Sequence, residues 1–253
     1  MLMKNKVCVI TGAASTHGIG GATATMLAEQ GASVVITDIS AGIIKSAEAL
    51  AAVYPDQGVL GIQCDIASRE ECRTLRDRVL EKFGRIDALV HSAGIMRPAK
   101  FEDISEVDFE ETIRVNLAGT FNVIGALSKP MLERKTGSIV CVSSVAAQRG
   151  GGLFGGSHYA ASKGGVLSLM RTLAREFGAV GVRVNAVCPS LIETNFVADA
   201  ISPERLRELS TAIPLGRPGR PEEVAGACMF LASDLSSYMT GATLDVNGGI
   251  HIH

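Results

Sequence analysis

The chain has 253 residues, 47% of them apolar and 20% charged, and 24 basic side chains against 26 acidic ones give a formal net charge of −2. That much apolar material excludes intrinsic disorder, and a near-neutral chain without a Lys/Arg run argues against nucleic acid as the main partner. No apolar stretch reaches the roughly 18 residues a membrane span needs, and MLMKNKVCVITG enters a strand pattern without a secretory leader, so a cytoplasmic location is expected.

The first strand is expected over Lys6–Thr11, followed by a helix over Gly18–Gln30 that Gly31 stops. A second strand, Ser33–Thr37, ends at Asp38. A third, Val59–Gln63, precedes a helix over Glu70–Phe83 that Gly84 stops, and a fourth covers Ala88–Val90. The helix expected over Ser105–Gly125 opens with Ser105 and Asp108, close to a capping box. A fifth strand, Ser138–Ser143, leads to a helix over Tyr159–Phe177 stopped by Gly178. The sixth strand, Arg183–Val187, is followed by an irregular connection, Leu191–Arg220, of a length typical of lids. Pro221–Ala232 begins with proline and then Glu222 and Glu223, which suit the positive end of a helix dipole. The seventh strand is Thr243–Val246.

Most of these strands are apolar almost throughout, as when both faces are buried. Strand–helix alternation repeated this often predicts an α/β fold, a doubly wound parallel sheet with helices on both faces. No linker or repeat interrupts the chain, so one domain is expected over residues 1–253. Its six cysteines are scattered without a CxxC pair and read as small buried hydrophobes. No metal site is expected; the two histidines of the tail Ile250–His253 are too few ligands.

Two stretches carry chemistry. Between the first strand and first helix, Thr11–Gly20 (TGAASTHGIG) holds glycines that let a pyrophosphate approach the free N–H groups of a helix start. Asp38, closing the second strand, suits the adenosine ribose hydroxyls and repels a 2′-phosphate, favouring NAD over NADP. Asp65, after the third strand, suits either the adenine amino group or a helix N-cap. In the second stretch, Tyr159 and Lys163 are four apart on one helix face. An ammonium there lowers a phenol's pKa and makes the tyrosine an acid/base for an alcohol or carbonyl oxygen. Ser143 and Ser144 end the preceding strand, at the carboxyl edge where ligands bind.

These residues, with CDI at 64–66, HSAG at 91–94, RVNLAGTF around Asn116, SIVCVSS at 138–144, YAASK at 159–163, VRVNAVCPSLIETNF at 182–196 and SSYMTGATLDVNGG at 236–249, resemble the short-chain dehydrogenase/reductase family over the whole chain. The match is to its single-domain subclass of about 250 residues. The resemblance implies a Rossmann-like, seven-stranded sheet. It makes Tyr159 the general acid/base, Lys163 its partner and holder of the nicotinamide ribose, Ser144 the group bonding the substrate oxygen, and Asn116 the anchor of a proton relay. The cofactor cradle it implies comprises Gly12, Ser15, Gly18, Ile19 and Gly20; His17, in the longer loop, suits either a phosphate contact or a solvent-facing position. Asp38 and Ile39 serve the ribose, Asp65 and Ile66 the adenine. Ser92, Ala93 and Gly94 form the floor, and Pro189, Ile192 and Thr194 the nicotinamide end.

The sequence departs from the family's pattern in four places. Five residues separate Gly12 from Gly18, where three are usual, so a bulged loop is expected. His91 stands for a usual asparagine and reads as a buried structural histidine. Ser190 replaces a glycine after Pro189, and Ser144 and Tyr159 are fifteen apart, slightly more than usual.

Substrate walls are expected from Met96–Arg97, from 145–158 and from a lid over 196–215, with Met96, Ser144, Gln148 and Tyr159 touching substrate. Arg97, Gln148, Arg149 and His158 are the polar candidates for a hydroxylated or carboxylated substrate. A polyol, sugar or hydroxy acid is the first expectation. A 3-oxoacyl thioester reductase is the alternative, and a non-catalytic NAD-binding sensor the alternative of another class. The four-residue Tyr–Lys spacing disfavours enoyl reduction. The resemblance also implies a homotetramer, with Ile250–His253 expected to pack on a neighbouring subunit.

Overall fold

The computed structural model describes residues 1–151, 155–198 and 202–252. Seven strands form one parallel sheet: β1 (Val7–Thr11), β2 (Ser33–Asp38), β3 (Val59–Gln63), β4 (Ala88–His91), β5 (Gly137–Val142), β6 (Val182–Pro189) and β7 (Thr243–Val246), in the order β3-β2-β1-β4-β5-β6-β7. Strand order reverses between β1 and β4, which pair with Thr11 opposite His91. In a Rossmann-like sheet the ligand crevice opens at that point, beyond the carboxyl ends of the strands.

Alternation along the strands feeds two cores. In β1, Val7 and Val9 join one cluster with Leu75, Leu127 and Met170, and Cys8 and Ile10 join the other with Leu27, Val224 and Leu231. The first lies under α3 (Arg69–Phe83), α5 (Gly119–Arg134) and α7 (Ser157–Gly178); the second lies under α1 (Ile19–Glu29), α2 (Ile43–Val53) and α10 (Pro221–Ala232). All six cysteines are free and buried, as read from the sequence.

Three helical readings need correction. α2 was not among the expected elements; it buries only Ile43 and Ala47, so its apolar stripe is thin. The helix expected to end at Gly125 has no break there. α4 (Glu106–Ile113) passes through a π turn at Arg114–Ala118 into α5, which runs to Arg134 with Pro130 inside it. Gly178 does not stop α7 but is its last residue; the left-handed turn is made at Gly181, at φ 82°. By contrast, Ser68 and Ser105 cap α3 and α4 by accepting the N–H of Glu71 and Asp108.

The connection read as a lid contains α8 (Asn195–Ala198) and α9 (Pro203–Ser210), and Leu191, Val197, Leu209 and Ile213 make a small cluster of their own. Ile250 packs on that cluster and the His251 carbonyl accepts the Asn247 amide, so the tail begins against its own chain. Ile252 beyond it is exposed. Gly152, Leu153, Phe154 and His253, and the side chain of Phe196, lie outside the described residues.

Candidate active site

A cleft of about 620 Å³ opens at the carboxyl edge. At its nucleotide end the chain leaves β1 through Gly12, at φ +69°, where a Cβ would sit 2.7 Å from Ala93 Cα and N. Only glycine permits that approach. The Ser15 carbonyl accepts the Gly18 N–H at 3.2 Å, closing a turn whose tip is Thr16 and His17. The two extra residues thus make the expected bulge. Gly18 and Ile19 open α1 into the cleft, and no side chain caps its first N–H groups. An uncapped helix start facing a cleft suits a pyrophosphate. Asp38 lines the same end and accepts the N–H of Ala14 and of Ser40, each at 3.1 Å.

Several residues expected in the cradle stand elsewhere. His17 is exposed at the loop tip, away from the cleft lining, with its ring beside the Thr16 hydroxyl. Ile39 is 64% exposed and also outside the lining. Gly20 is buried beneath the loop, where a Cβ would meet the Gly12 carbonyl at 2.3 Å, so it serves packing of α1 on the loop. Asp65 accepts the Ala67 N–H and lies 3.6 Å from the Arg114 guanidinium, while Ile66 is buried against Gly119. Neither lines the cleft.

The cleft floor is Ser92, Ala93 and Gly94. Thr11 Oγ1 accepts the N–H groups of Ser92 and Ala93 and lies 2.8 Å from His91 Nδ1. Having accepted twice, Thr11 donates its hydroxyl hydrogen to Nδ1. His91 Nε2–H therefore donates to Thr120 Oγ1, at 2.9 Å, and Thr120 donates on to the Asn116 carbonyl. Burial, helped by Lys163, pulls the His91 pKa down to about 3, so the ring is neutral, as this pattern requires. The structural reading of His91 holds.

Asn116 sits in the π turn, buried. Its Oδ1 accepts the Ile95 N–H at 2.8 Å, and its Nδ2 donates to the Ile95 carbonyl at 2.9 Å and to Ser162 Oγ at 3.1 Å. It clamps the chain beyond the floor and does not itself line the cleft. A Cβ on Gly94 would lie 3.0 Å from Asn116 Oδ1 and 3.4 Å from Lys163 Nζ.

Ser144, Tyr159 and Lys163 meet at the centre of the cleft. Ser143 Oγ donates to the Lys163 carbonyl at 3.0 Å, fastening α7 to the end of β5. Ser144 Oγ accepts the Ala146 N–H and bonds the Tyr159 hydroxyl. Lys163 Nζ donates to the Val142 carbonyl at 3.0 Å and stands 5.9 Å from the Tyr159 ring centroid. Burial pushes the Tyr159 phenol up to about 12, opposed by the Ser144 bond, and pushes the Lys163 ammonium down to about 8. The Lys163 ammonium is not among the groups that act most on the phenol in this arrangement. Removal from water wins, and Lys163 is engaged by a carbonyl instead.

At the substrate end, Met96 lines the cleft as expected, with Val145, Ala146, Arg149 and Gly151. Gln148 does not, because its amide turns to Asp245 Oδ1 at 2.8 Å. Arg97 bonds Asp108 at 2.5 Å. His158 is buried, and neither ring nitrogen has a hydrogen-bond partner among the described residues. Pro189, Ile192 and Thr194 line the cleft beyond β6, where Ser190 Oγ donates to the Asn247 carbonyl at 3.0 Å. Asn195 was not foreseen. It lines the cleft and its amide reaches Ser15 Oγ at 3.4 Å, joining lid to glycine loop. No local signal marks a contact between residues so far apart in the chain.

A family profile described as enoyl-(acyl carrier protein) reductase matches residues 12–251. An uncharacterized short-chain type dehydrogenase/reductase of Sinorhizobium fredii, y4mP, is 46% identical over 253 residues, covering 100% of both chains. The 3-oxoacyl-[acyl-carrier-protein] reductase FabG of Thermotoga maritima is 43% identical, again with 100% of both covered. D-threitol dehydrogenase of Mycolicibacterium smegmatis is 41% identical over 99% of this chain and 94% of its own. The crystal structure of gox2181 superposes with a TM-score of 0.93 at 36% identity, covering 98% of this chain and 96% of that one.

Proposed function

The chain belongs to the short-chain dehydrogenase/reductase family of oxidoreductases, and from that premise we propose that it interconverts a secondary alcohol and a ketone with NAD as hydride carrier. The observation that carries this reading is the Tyr159 hydroxyl bonded to Ser144, with Lys163 one turn away, all facing one cleft. The uncapped start of α1, the steric need for glycine at position 12 and the carboxylate of Asp38 fit a dinucleotide laid from Asp38 to Thr194. Held by those residues, NAD would supply the hydride chemistry at the carbinol carbon.

The chain's own residues handle the proton. Ser144 orients the substrate oxygen by a hydrogen bond. Tyr159 gives a proton to that oxygen in reduction and takes it in oxidation. Burial keeps the phenol protonated at neutral pH, so it holds the proton that reduction requires, and a positive charge brought beside it would favour its ionised form for oxidation. Lys163 keeps a positive charge beside the ribose, and Asn116 fixes the floor through Ile95. Asp38 supports NAD over NADP because a 2′-phosphate would meet its carboxylate.

Among the described residues the cleft lining has Tyr159 as its aromatic side chain and is otherwise largely aliphatic, which supports a small polyol, sugar or hydroxy acid, and D-threitol dehydrogenase is a relative named for a polyol. The FabG relatives favour a second reading, reduction of a 3-oxoacyl thioester. We further propose a cytoplasmic homotetramer; the exposed Phe101, Val107, Phe109 and Phe121 on the α4–α5 side support association. Among the described residues no helix is long and apolar enough to cross a membrane. A screen for NAD reduction across polyols, sugars, hydroxy acids and hydroxyacyl thioesters tests the reading. Turnover of at least one secondary alcohol with NAD is expected; turnover of thioesters alone, with NADP, would favour the second reading.

A further inference from the structure

Four polar side chains were candidates for reading the substrate; two are committed to partners and a third lies outside the cleft lining. Arg97 is paired with Asp108, Gln148 with Asp245, and His158 is buried outside the cleft lining. Arg149 alone lines the cleft. Resting on the oxidoreductase reading above, we propose that Arg149 selects the substrate by receiving a carboxylate, so that the natural alcohol is a short hydroxy acid.

Charge supports this assignment. Among the described lining residues the charged side chains are Asp38, Arg149 and Lys163. Asp38 lies at the nucleotide end, and Lys163 is tied to the Val142 carbonyl beside Tyr159. Met96, Val145, Ala146, Leu191 and Val197 give the lining an aliphatic character, and Arg149, exposed at its rim, is the one cation among the described lining residues besides Lys163. A single guanidinium in an aliphatic wall matches one planar monoanion; a phosphate dianion would call for further donors.

Geometry supports it too. The short helix α6 (Ala146–Arg149) begins directly after Ser144, whose Oγ accepts the Ala146 N–H. Five residues at a helical rise of about 1.5 Å put the Arg149 backbone roughly 7–8 Å from that of Ser144. A flexible guanidinium stem spans the remaining distance to a carboxylate a few bonds from the carbinol. The arginine is also anchored: its Nη1 donates to the Ile250 carbonyl at 3.0 Å, its one hydrogen bond among the described residues. Ile250 itself packs on the lid cluster of Leu191, Val197, Leu209 and Ile213. One arm is thus held by the tail, and Nε and Nη2 remain for a bidentate acceptor.

The test compares wild type, R149M and R149K. First, kcat/KM is measured with saturating NAD for 3-hydroxybutyrate, its methyl ester, a neutral 2,3-diol and a phosphorylated secondary alcohol. Wild type should favour the acid over the ester by about tenfold or more, the worth of one well-placed charged pair. R149M should lose that preference through KM, R149K should restore part of it, and NADH affinity by fluorescence should not move. Second, butyrate, which cannot react, is titrated into the enzyme–NADH complex; R149M should weaken its binding about tenfold. Equal butyrate binding in wild type and R149M, or a wild-type preference for the ester, the diol or the phosphate, would overturn the assignment. Absence of NAD reduction with every secondary alcohol, with the butyrate difference intact, would instead overturn the oxidoreductase reading.

Discussion

Replacing Lys163 with methionine should abolish catalysis and stabilise the protein. Lys163 is buried at 6% exposure, and burial lowers its ammonium from 10.5 to about 8. Keeping it charged at neutral pH therefore costs about 3 kcal/mol relative to the unfolded chain. K163M removes that cost and fills the stem's volume. It leaves the Val142 carbonyl without its partner, a loss of about 1 kcal/mol, for a net gain of about 2 kcal/mol. At about 2–4 °C per kcal/mol for a chain of this size, the melting temperature at pH 7 should rise by roughly 4–8 °C. Between pH 8 and 10.5 the unfolded lysine still holds a proton that the folded one has released, so wild-type stability climbs relative to K163M across that window. Above it the gain should vanish. Urea unfolding and thermal melts of both proteins at pH 7 and pH 10 read this directly. A K163M protein that melts at or below wild type at pH 7, or a gap that does not narrow with pH, would refute the reasoning.

The remaining predictions concern the cofactor and the sheet centre. D38A removes a carboxylate that holds the N–H groups of Ala14 and Ser40, so its KM for NAD should rise about tenfold or more while NADP gains; a wild type that prefers NADP would show the role of Asp38 to be misread. H91A breaks the relay from Thr11 through Thr120 to the Asn116 carbonyl and leaves a buried cavity, so it should lose about 2–4 kcal/mol in urea unfolding. A loss below about 1 kcal/mol would mean that the relay carries little of the stability.

Much of this architecture is legible before any coordinates. The apolar runs of β1 and β5 and the serine cap of α4 act through neighbours in the chain, where sequence reasoning is strongest. Tyr159, Lys163 and Ser144 meet in the cleft because their motif encodes one helix face and the strand end beside it. The adenine side was read less well. Asp65 satisfies its own turn and Arg114, which local spacing does not reveal. The Asn116–Ile95 clamp and the Asn195–Ser15 link exist only once the sheet has brought distant segments together. Arg97, Gln148, Arg149 and His158 were equivalent on paper; the fold separates them, by partners for the first three and by burial for His158.

The claim at the centre is that Tyr159 moves the proton for an NAD-linked hydride transfer. Y159F removes one hydroxyl from the cleft and leaves the glycine loop, Asp38 and Lys163 in place. NADH binding by fluorescence and turnover of the best secondary alcohol from the screen should be measured side by side. NADH affinity within about twofold of wild type and a turnover lower by at least about a hundredfold are expected. Retained turnover in Y159F would contradict the account.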